Sequence, residues 1–457
     1  MKMKKRAWKP LADAKLRNAV EERIKTSVEL LRDPSTIKKH ALERDVKIRG
    51  WSPLSLGSGY PGLCLLFGEL DRLEPEAGWD MAGHQVLVAV QQAVQEHGVP
   101  SLDLWGGLAG IVLGVRSLSR GGTRYAGMME SLNRFATEQL PEFIETRTDR
   151  LANDLRMTDY DLMGGMTGVG RYLLAFRDEP QLQPVLEGVI RYLIALSGEK
   201  EVEGQLVPMW HISSDNQFLA IEREFFKQGM CNAGLSHGIA GPMGVLALAK
   251  LHGVETTGQD TAIRRYAEWL VEQKLEDEYG PYWPGRIPME VVSNGWEEGK
   301  VVPPNESWCY GGPSIARQLW FAGMALGETA WQELAMEVAV ASYKRTQNWN
   351  EKTGLSSPNF CHGVAGTAYM AQVMYAETGN ELFAEARDRL VERVLDLFDE
   401  ELPYHVFELT RDPNDPNGTK TKVSDMGLLE GLAGTLTVLT SLLTEEAPEW
   451  DAVFLLS

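Results

Sequence analysis

Apolar residues recur near a 3.6-residue period in several long segments, clearest over Leu11–Leu31 and Thr329–Arg345. That pattern predicts amphipathic helices with one buried face. Between them lie segments that are apolar on most sides and rich in small residues, such as Leu108–Leu118 and Val364–Tyr375. A helix apolar all round reads as buried. Each segment of this second kind follows a Gly-x-x-Gly-like turn. The turns open at Gly59, Gly107, Gly165, Gly238, Gly311, Gly363 and Gly431, with spacings of 48, 58, 73, 73, 52 and 68 residues. Fixed-period solenoids are tighter than this. What persists is an alternation of amphipathic helix, loop, glycine turn and apolar helix. Seven such pairs predict an all-α fold, an α/α toroid of about seven inner and seven outer helices forming one domain over residues 1–457.

The glycines are expected to permit a tight, positive-φ start to each apolar helix and close helix approach. Equivalent turns should place the residues just ahead of them at one end of the barrel. Two intervals break the pattern, 201–230 and 279–307. Both are rich in Pro, Trp and polar residues, and they read as insertions holding short strands or an irregular flap. Asp412–Gly418 lacks the ligand spacing of a calcium loop and reads as a surface turn.

Composition narrows the function. The chain has 457 residues, 44% of them hydrophobic, and a formal charge of −19. That charge argues against general affinity for nucleic acid or an anionic membrane. The basic cluster Lys2, Lys4, Lys5 and Arg6 lacks the apolar run of a secretory signal. No run of about 18 apolar residues could span a bilayer. A soluble, cytoplasmic protein is expected. Four cysteines in so long a chain are not a disulfide framework. Cys64, flanked by leucines, reads as core.

Chemistry gathers just ahead of the turns. The residues immediately before the first glycines are Ser58, Gly106, Gly164, His237, Tyr310, His362 and Glu430. One step earlier stand Gly57, Trp105, Met163, Ser236, Cys309, Cys361 and Leu429. In register, Cys309 and Cys361 occupy equivalent positions, with His362 beside Cys361. Two thiolates and an imidazole are a zinc set, and three protein ligands leave a fourth position open. Two thiolates make such a centre roughly neutral, which suits holding an incoming thiol as thiolate. Cys231 is a rival ligand but falls off the register. His237 can give or take a proton near neutral pH. Asp161, four residues ahead of the third turn, reads either as a partner for His237 or as a helix N-cap. Tyr310 could donate to a developing anion.

These motifs resemble the lanthionine synthetase C family, the lantibiotic cyclases. The resemblance runs from Pro53 to Leu443. It is carried most specifically by Trp308-Cys309-Tyr310-Gly311, Cys361-His362-Gly363 and Ser236-His237-Gly238-Ile239-Ala240-Gly241. It implies an α/α toroid with one Zn²⁺ per chain on Cys309, Cys361 and His362. It implies that a cysteine thiol of a ribosomally made precursor adds to dehydroalanine or dehydrobutyrine, closing a thioether ring. His237 would be the acid/base residue, Asp161 its companion and Tyr310 a supporting group. The implied partners are a dehydrated precursor peptide with its leader, a separate dehydratase and an ABC exporter, with peripheral membrane association through that complex. Family cyclases often carry an arginine four residues before the first zinc cysteine. Here Asn305 stands there, with Arg286 and Arg317 as candidate substitutes. Two other readings stay open: a relative that adds glutathione to dehydroamino acids, and a peptide-binding scaffold without catalysis.

Overall fold

The computed structural model describes residues 6–43, 51–297, 302–347, 355–410 and 419–457. Asp412–Gly418 and Lys2, Lys4 and Lys5 lie outside the described residues. A helix begins at or just after each of the seven glycine turns. These are Tyr60–Leu73, Leu108–Ser117, Met166–Ala175, Ala240–Leu251, Gly312–Leu326, Val364–Thr378 and Leu432–Ser441. They are buried on nearly every side. In Val364–Thr378 every residue from Val364 to Ala376 is buried. The amphipathic segments form the other long helices. Thr329–Arg345 is helical throughout, and Leu11–Leu31 is helical over Ala14–Ser27 with a 3₁₀ continuation over Val28–Leu31. In Glu381–Asp396 the buried residues Phe383, Arg387, Leu390 and Val394 trace one face at helical spacing.

None of the seven buried helices has a side-chain N-cap. The unpaired N–H groups of a first turn still need acceptors. Backbone supplies them. Tyr60 N donates to Pro53 O (3.0 Å), Leu108 N to Ser101 O (2.9 Å), Gly312 N to Asn305 O (3.0 Å), Val364 N to Ser357 O (2.9 Å) and Leu432 N to Asp425 O (3.0 Å). The acceptor sits seven residues upstream in all five, so these turns are closed loops of one design. A side chain braces it from within. Asp103, Asp161 and Asp425 accept from Gly106 N, Gly164 N and Gly427 N at 2.6, 2.7 and 2.6 Å, and Asn232 and Asn305 accept from Gly234 N and Ser307 N at 3.0 and 2.8 Å.

The expected positive φ at the first glycine is absent. The backbone there is extended, with φ of −113° at Gly59, −141° at Gly107 and −111° at Gly363. Glycine is needed for space instead. A Cβ on Gly363 would sit 2.6 Å from Ser357 O, and one on Gly431 would sit 2.5 Å from Asp425 O. The loop closes so tightly that its own backbone fills the Cβ position.

The described residues form two compact units. One comprises those between Arg134 and Thr353 with Leu456, the other those of Lys5–Asn133 and Gly354–Leu455 with Ser457. In the first, Met166–Ala175, Ala240–Leu251 and Gly312–Leu326 pack in succession, each against the amphipathic helix that follows it: Gln183–Leu196, Gln259–Gln273 and Thr329–Arg345. In the second, Val364–Thr378, Leu432–Ser441, Tyr60–Leu73 and Leu108–Ser117 pack in that order, with Glu381–Asp396 and Trp79–His97 outside. Backbone bonds stitch neighbouring turns within each unit. Leu162 N donates to Ser236 O and Leu235 N to Cys309 O, both at 3.0 Å. In the second unit Cys361 N donates to Leu429 O (2.9 Å), Leu429 N to Gly57 O (3.0 Å) and Leu56 N to Trp105 O (2.9 Å).

Short strands occupy the irregular intervals. Glu199–Val202 and Gln205–Pro208 form a two-residue hairpin, with Glu203 and Gly204 at φ of 50° and 81°. Met230–Asn232 pairs antiparallel with Arg286–Pro288, and Leu275–Asp277 with Gly280–Tyr282. The register of the former sets Asn232 opposite Arg286. In the second unit Glu408–Thr410 pairs with Thr421–Val423.

The space argument is checked by paired substitutions. Gly431→Ala should destabilise the protein by ~1–3 kcal/mol through forced backbone displacement. Gly127→Ala, in the helix Ala126–Arg150 with nothing within 4 Å of the new Cβ, should be neutral or stabilising. Urea denaturation of both variants measures the contrast.

Candidate active site

In the first unit the third, fourth and fifth turns bring Asp161, His237 and Tyr310 together. His237 Nδ1 lies 2.6 Å from Asp161 Oδ2; the aspartate is fully buried and the imidazole about one-quarter exposed. Asp161 is not an N-cap. It follows the short helix Met157–Tyr160, and its other oxygen accepts from Gly164 N at 2.7 Å. A carboxylate anchored at one oxygen fixes the ring through the other. The hydrogen bond assigns the proton to Nδ1, leaving Nε2 as the basic nitrogen. The Phe218 ring meets the imidazole edge-on, with centroids 5.0 Å apart, and Tyr310 lies at 6.2 Å.

Tyr310 is set by the turn beneath it. The Cys309 carbonyl accepts from Leu235 N, Ser236 N and Ser236 Oγ at 3.0, 3.2 and 3.2 Å. The side chains of Arg286 and Asn232 lie near the Tyr310 hydroxyl, and both favour its charged form. Burial pushes that phenol up, against the opposing pull of the Arg286 guanidinium. Arg286 also pairs with Glu222 and lies 5.9 Å from the Tyr310 ring centroid. The two candidate arginines thus separate. Arg317 is buried, donates to the Leu456 carbonyl at 3.1 Å and packs on Phe321. Arg286 stands beside the His237 group.

The Cys309 Sγ is buried and lies 3.3 Å from Ser307 Oγ. Ser307 in turn donates from both N and Oγ to Asn305 Oδ1, at 2.8 and 2.6 Å. Asn305 is therefore the brace of the fifth turn. Behind it Glu306 is fully buried, and burial raises its carboxyl to about 7 against the pull of Arg345, 3.3 Å away. Arg345 also binds Asp277 at 2.7 Å, tying the turn to the adjoining hairpin.

In the second unit the sixth turn carries Cys361, buried, beside a half-exposed His362. His362 N lies 3.3 Å from Asn359 Oδ1. His362 Nε2 lies 3.2 Å from Glu430 Oε1 and 3.8 Å from Glu408 Oε2. Glu430 is the residue ahead of the seventh turn, so a fourth turn is chemically decorated. Glu408 comes from the strand pair and also accepts from Ser357 Oγ at 3.0 Å. An Nε2–H held by carboxylates leaves Nδ1 as the donor nitrogen.

The remaining cysteines are structural. Cys231 lies in a strand opposite Ile287, and burial lifts its thiol to about 12. Cys64 is fully buried and likewise pushed up by burial. Neither environment favours the thiolate a metal or an electrophile requires. Sequence reasoning left Phe218, Glu222 and Asn232 unassigned, because long-range packing and strand pairing bring them in. Glu430 carried a signal in its register position.

The fold and motifs place the chain in a known class. Residues 50–455 match the lanthionine synthetase C-like protein family, and the chain belongs to it. It is 26% identical over 391 residues to the nisin biosynthesis protein NisC of Lactococcus lactis subsp. lactis, covering 85% of each chain. The solved structure of nisin cyclase superimposes with a TM-score of 0.74 at 22% identity, covering 97% of this chain and 98% of that one. The likeness shows the fold, and it is the all-α toroid class expected from the helix alternation. Among the described residues no helix is long and apolar enough to cross a membrane.

The double duty of Asp161 is separable by stability. Asp161→Ala leaves the Gly164 amide unpaired and should cost ~1–3 kcal/mol. His237→Ala, at a partly exposed ring, should cost less. Thermal unfolding of the two variants checks the order.

Proposed function

We propose that the protein is a lanthionine cyclase that closes thioether rings in a dehydrated, ribosomally made precursor peptide. The single observation that carries this is the Asp161–His237 pair, a buried carboxylate holding a partly exposed imidazole, with Tyr310 alongside, in a chain of this family. The matched relatives are named for nisin biosynthesis and for nisin cyclisation.

We assign the metal to Cys309, Cys361 and His362, the donors that the turn motifs single out. Two thiols and one imidazole fit zinc, and the carboxylate grip on His362 Nε2 fits a ligating ring with its other nitrogen held. Zinc bound there would supply a substrate cysteine as thiolate at neutral pH. The chain's own groups then handle the protons. The cysteine sulfur bonds to the β carbon of the unsaturated residue, and the alkene electrons move onto the adjoining carbonyl as an enolate. A proton added at the α carbon completes the thioether. His237 Nε2 either takes the thiol proton or delivers the α proton, while Asp161 holds Nδ1–H and steadies the imidazolium. Tyr310, backed by Arg286, places a hydroxyl and a positive charge beside that imidazole, which suits a developing enolate oxygen. This assigns to Arg286 the cationic role that Asn305 cannot fill. A leader-bearing precursor, a separate dehydratase, an exporter and a cytoplasmic setting, peripheral to the membrane through that complex, belong to the same proposal.

The deciding experiment incubates the purified protein with a dehydrated precursor peptide and, separately, with glutathione and that peptide. Loss of free peptide thiol without glutathione adducts supports the cyclase. Adducts alone would favour the glutathione-adding reading, and neither product would favour a scaffold. Metal analysis should find one zinc per chain, lost in Cys309→Ala and Cys361→Ala with helical content retained. His237→Ala should keep zinc and slow ring formation ~10²–10⁴-fold. Glu430→Gln should weaken zinc retention ~10–100-fold in a chelator competition, because a neutral amide replaces the carboxylate that raises the basicity of the ring.

A further inference from the structure

Among the described residues nine large apolar side chains stand exposed, and four fall within eight residues: Phe218, Leu219, Ile221 and Phe225, at 42, 56, 52 and 71%. Isolated exposed apolar residues are ordinary, whereas a local concentration marks a surface that meets a partner. This segment is joined to the candidate active site twice. Phe218 packs its ring edge-on against His237. Glu222, within the short helix Glu222–Phe225, accepts from Leu219 N and pairs with Arg286, whose guanidinium lies 5.9 Å from the Tyr310 ring centroid. The apolar side chains therefore stand on a support that begins at the proton-transferring group.

We propose that Phe218–Phe225 is the substrate-side wall of the site, receiving the unsaturated residues of the precursor peptide and their apolar neighbours. The inference rests on the cyclase reading and adds a recognition surface to it. The chemistry of the occupant argues for it. Dehydroalanine and dehydrobutyrine have lost the hydroxyl of serine or threonine. They are planar, apolar and without a side-chain hydrogen-bonding group, so aromatic and aliphatic surface is what can select them. A residue undergoing addition near His237 Nε2 must lie within a few ångströms of the imidazole, and Phe218 is already there. The peptide residues flanking it continue onto the neighbouring exposed side chains. Recognition here is of the modified core, independent of the leader.

The test uses the full chain with two changes, Phe218→Ala and the double variant Ile221→Ser/Phe225→Ser. The probe is a dehydrated precursor whose cysteines are replaced by serine, so that it binds without cyclising. The double variant should bind it at least about tenfold more weakly, the scale set by losing one buried apolar side chain. Affinity for the isolated leader should be unchanged, and the undehydrated peptide should lose less than the dehydrated probe. In cyclisation of the native peptide the double variant should raise KM with kcat little altered, whereas Phe218→Ala should lower kcat as well. Wild-type affinity for the probe in both variants, with normal helical content, overturns the proposal. So does a concentration-dependent dimer of the wild type that the double variant abolishes at unchanged probe affinity, since a second copy then covers the surface. If the wild type binds the probe yet closes no ring, and the double variant loses that binding, the cyclase reading fails and the surface stands.

Discussion

The structure depends on one backbone hydrogen bond made over and over: the first N–H of a buried helix returning to a carbonyl seven residues upstream. It satisfies a donor that would otherwise be stranded in an apolar interior, and it does so without a capping side chain. Closing the loop that tightly leaves no volume for a Cβ at the first glycine. The glycines are therefore a consequence of backbone pairing. The same closure sets the residues ahead of the glycine in a fixed register, and candidate site residues fall in that register. Loop, helix start and reactive side chain are one unit of structure.

Much of this was legible in the chain itself. The contrast between amphipathic and uniformly apolar segments located the helices, as Thr329–Arg345 and Val364–Thr378 show, because burial on one face or on all faces writes directly into residue choice. The positions of Cys309, Cys361, His362 and His237 followed from counting back from the turns. The backbone state at the glycines was misread. A glycine is required equally by positive φ and by lack of space, and only coordinates separate the two. The bracing Asp and Asn residues were also missed as a set. They stand four or six residues ahead of the first glycine, as Asp161 and Asn305 do, and the shifting offset hides them from a fixed-register comparison. Arg286 and Phe218 reach the site through strand pairing and loop packing, which no local pattern records.

Asn305 is committed to its own turn. The position serves its turn, accepting from Ser307, and offers no charge. A guanidinium is nonetheless present beside the Tyr310 ring, supplied by a strand whose register with Met230–Asn232 is set by pairing. An insertion outside the helical repeat thus contributes what the repeat does not. Glu408, from another short strand pair, stands to His362 in the same relation.

The division of labour inside each turn has a further consequence. Closure comes from the main chain and bracing from a residue well upstream, so the side chain just ahead of the glycine takes no part in closing its own loop. Ser58, Gly106, Tyr310, His362 and Glu430 all occupy that position in loops of the same design. Reactive groups placed there do not compete with folding for the same atoms. A scaffold of this kind can exchange its chemistry one turn at a time, and the inert turns are a reserve of addresses at which new side chains could be installed while the fold stays as it is.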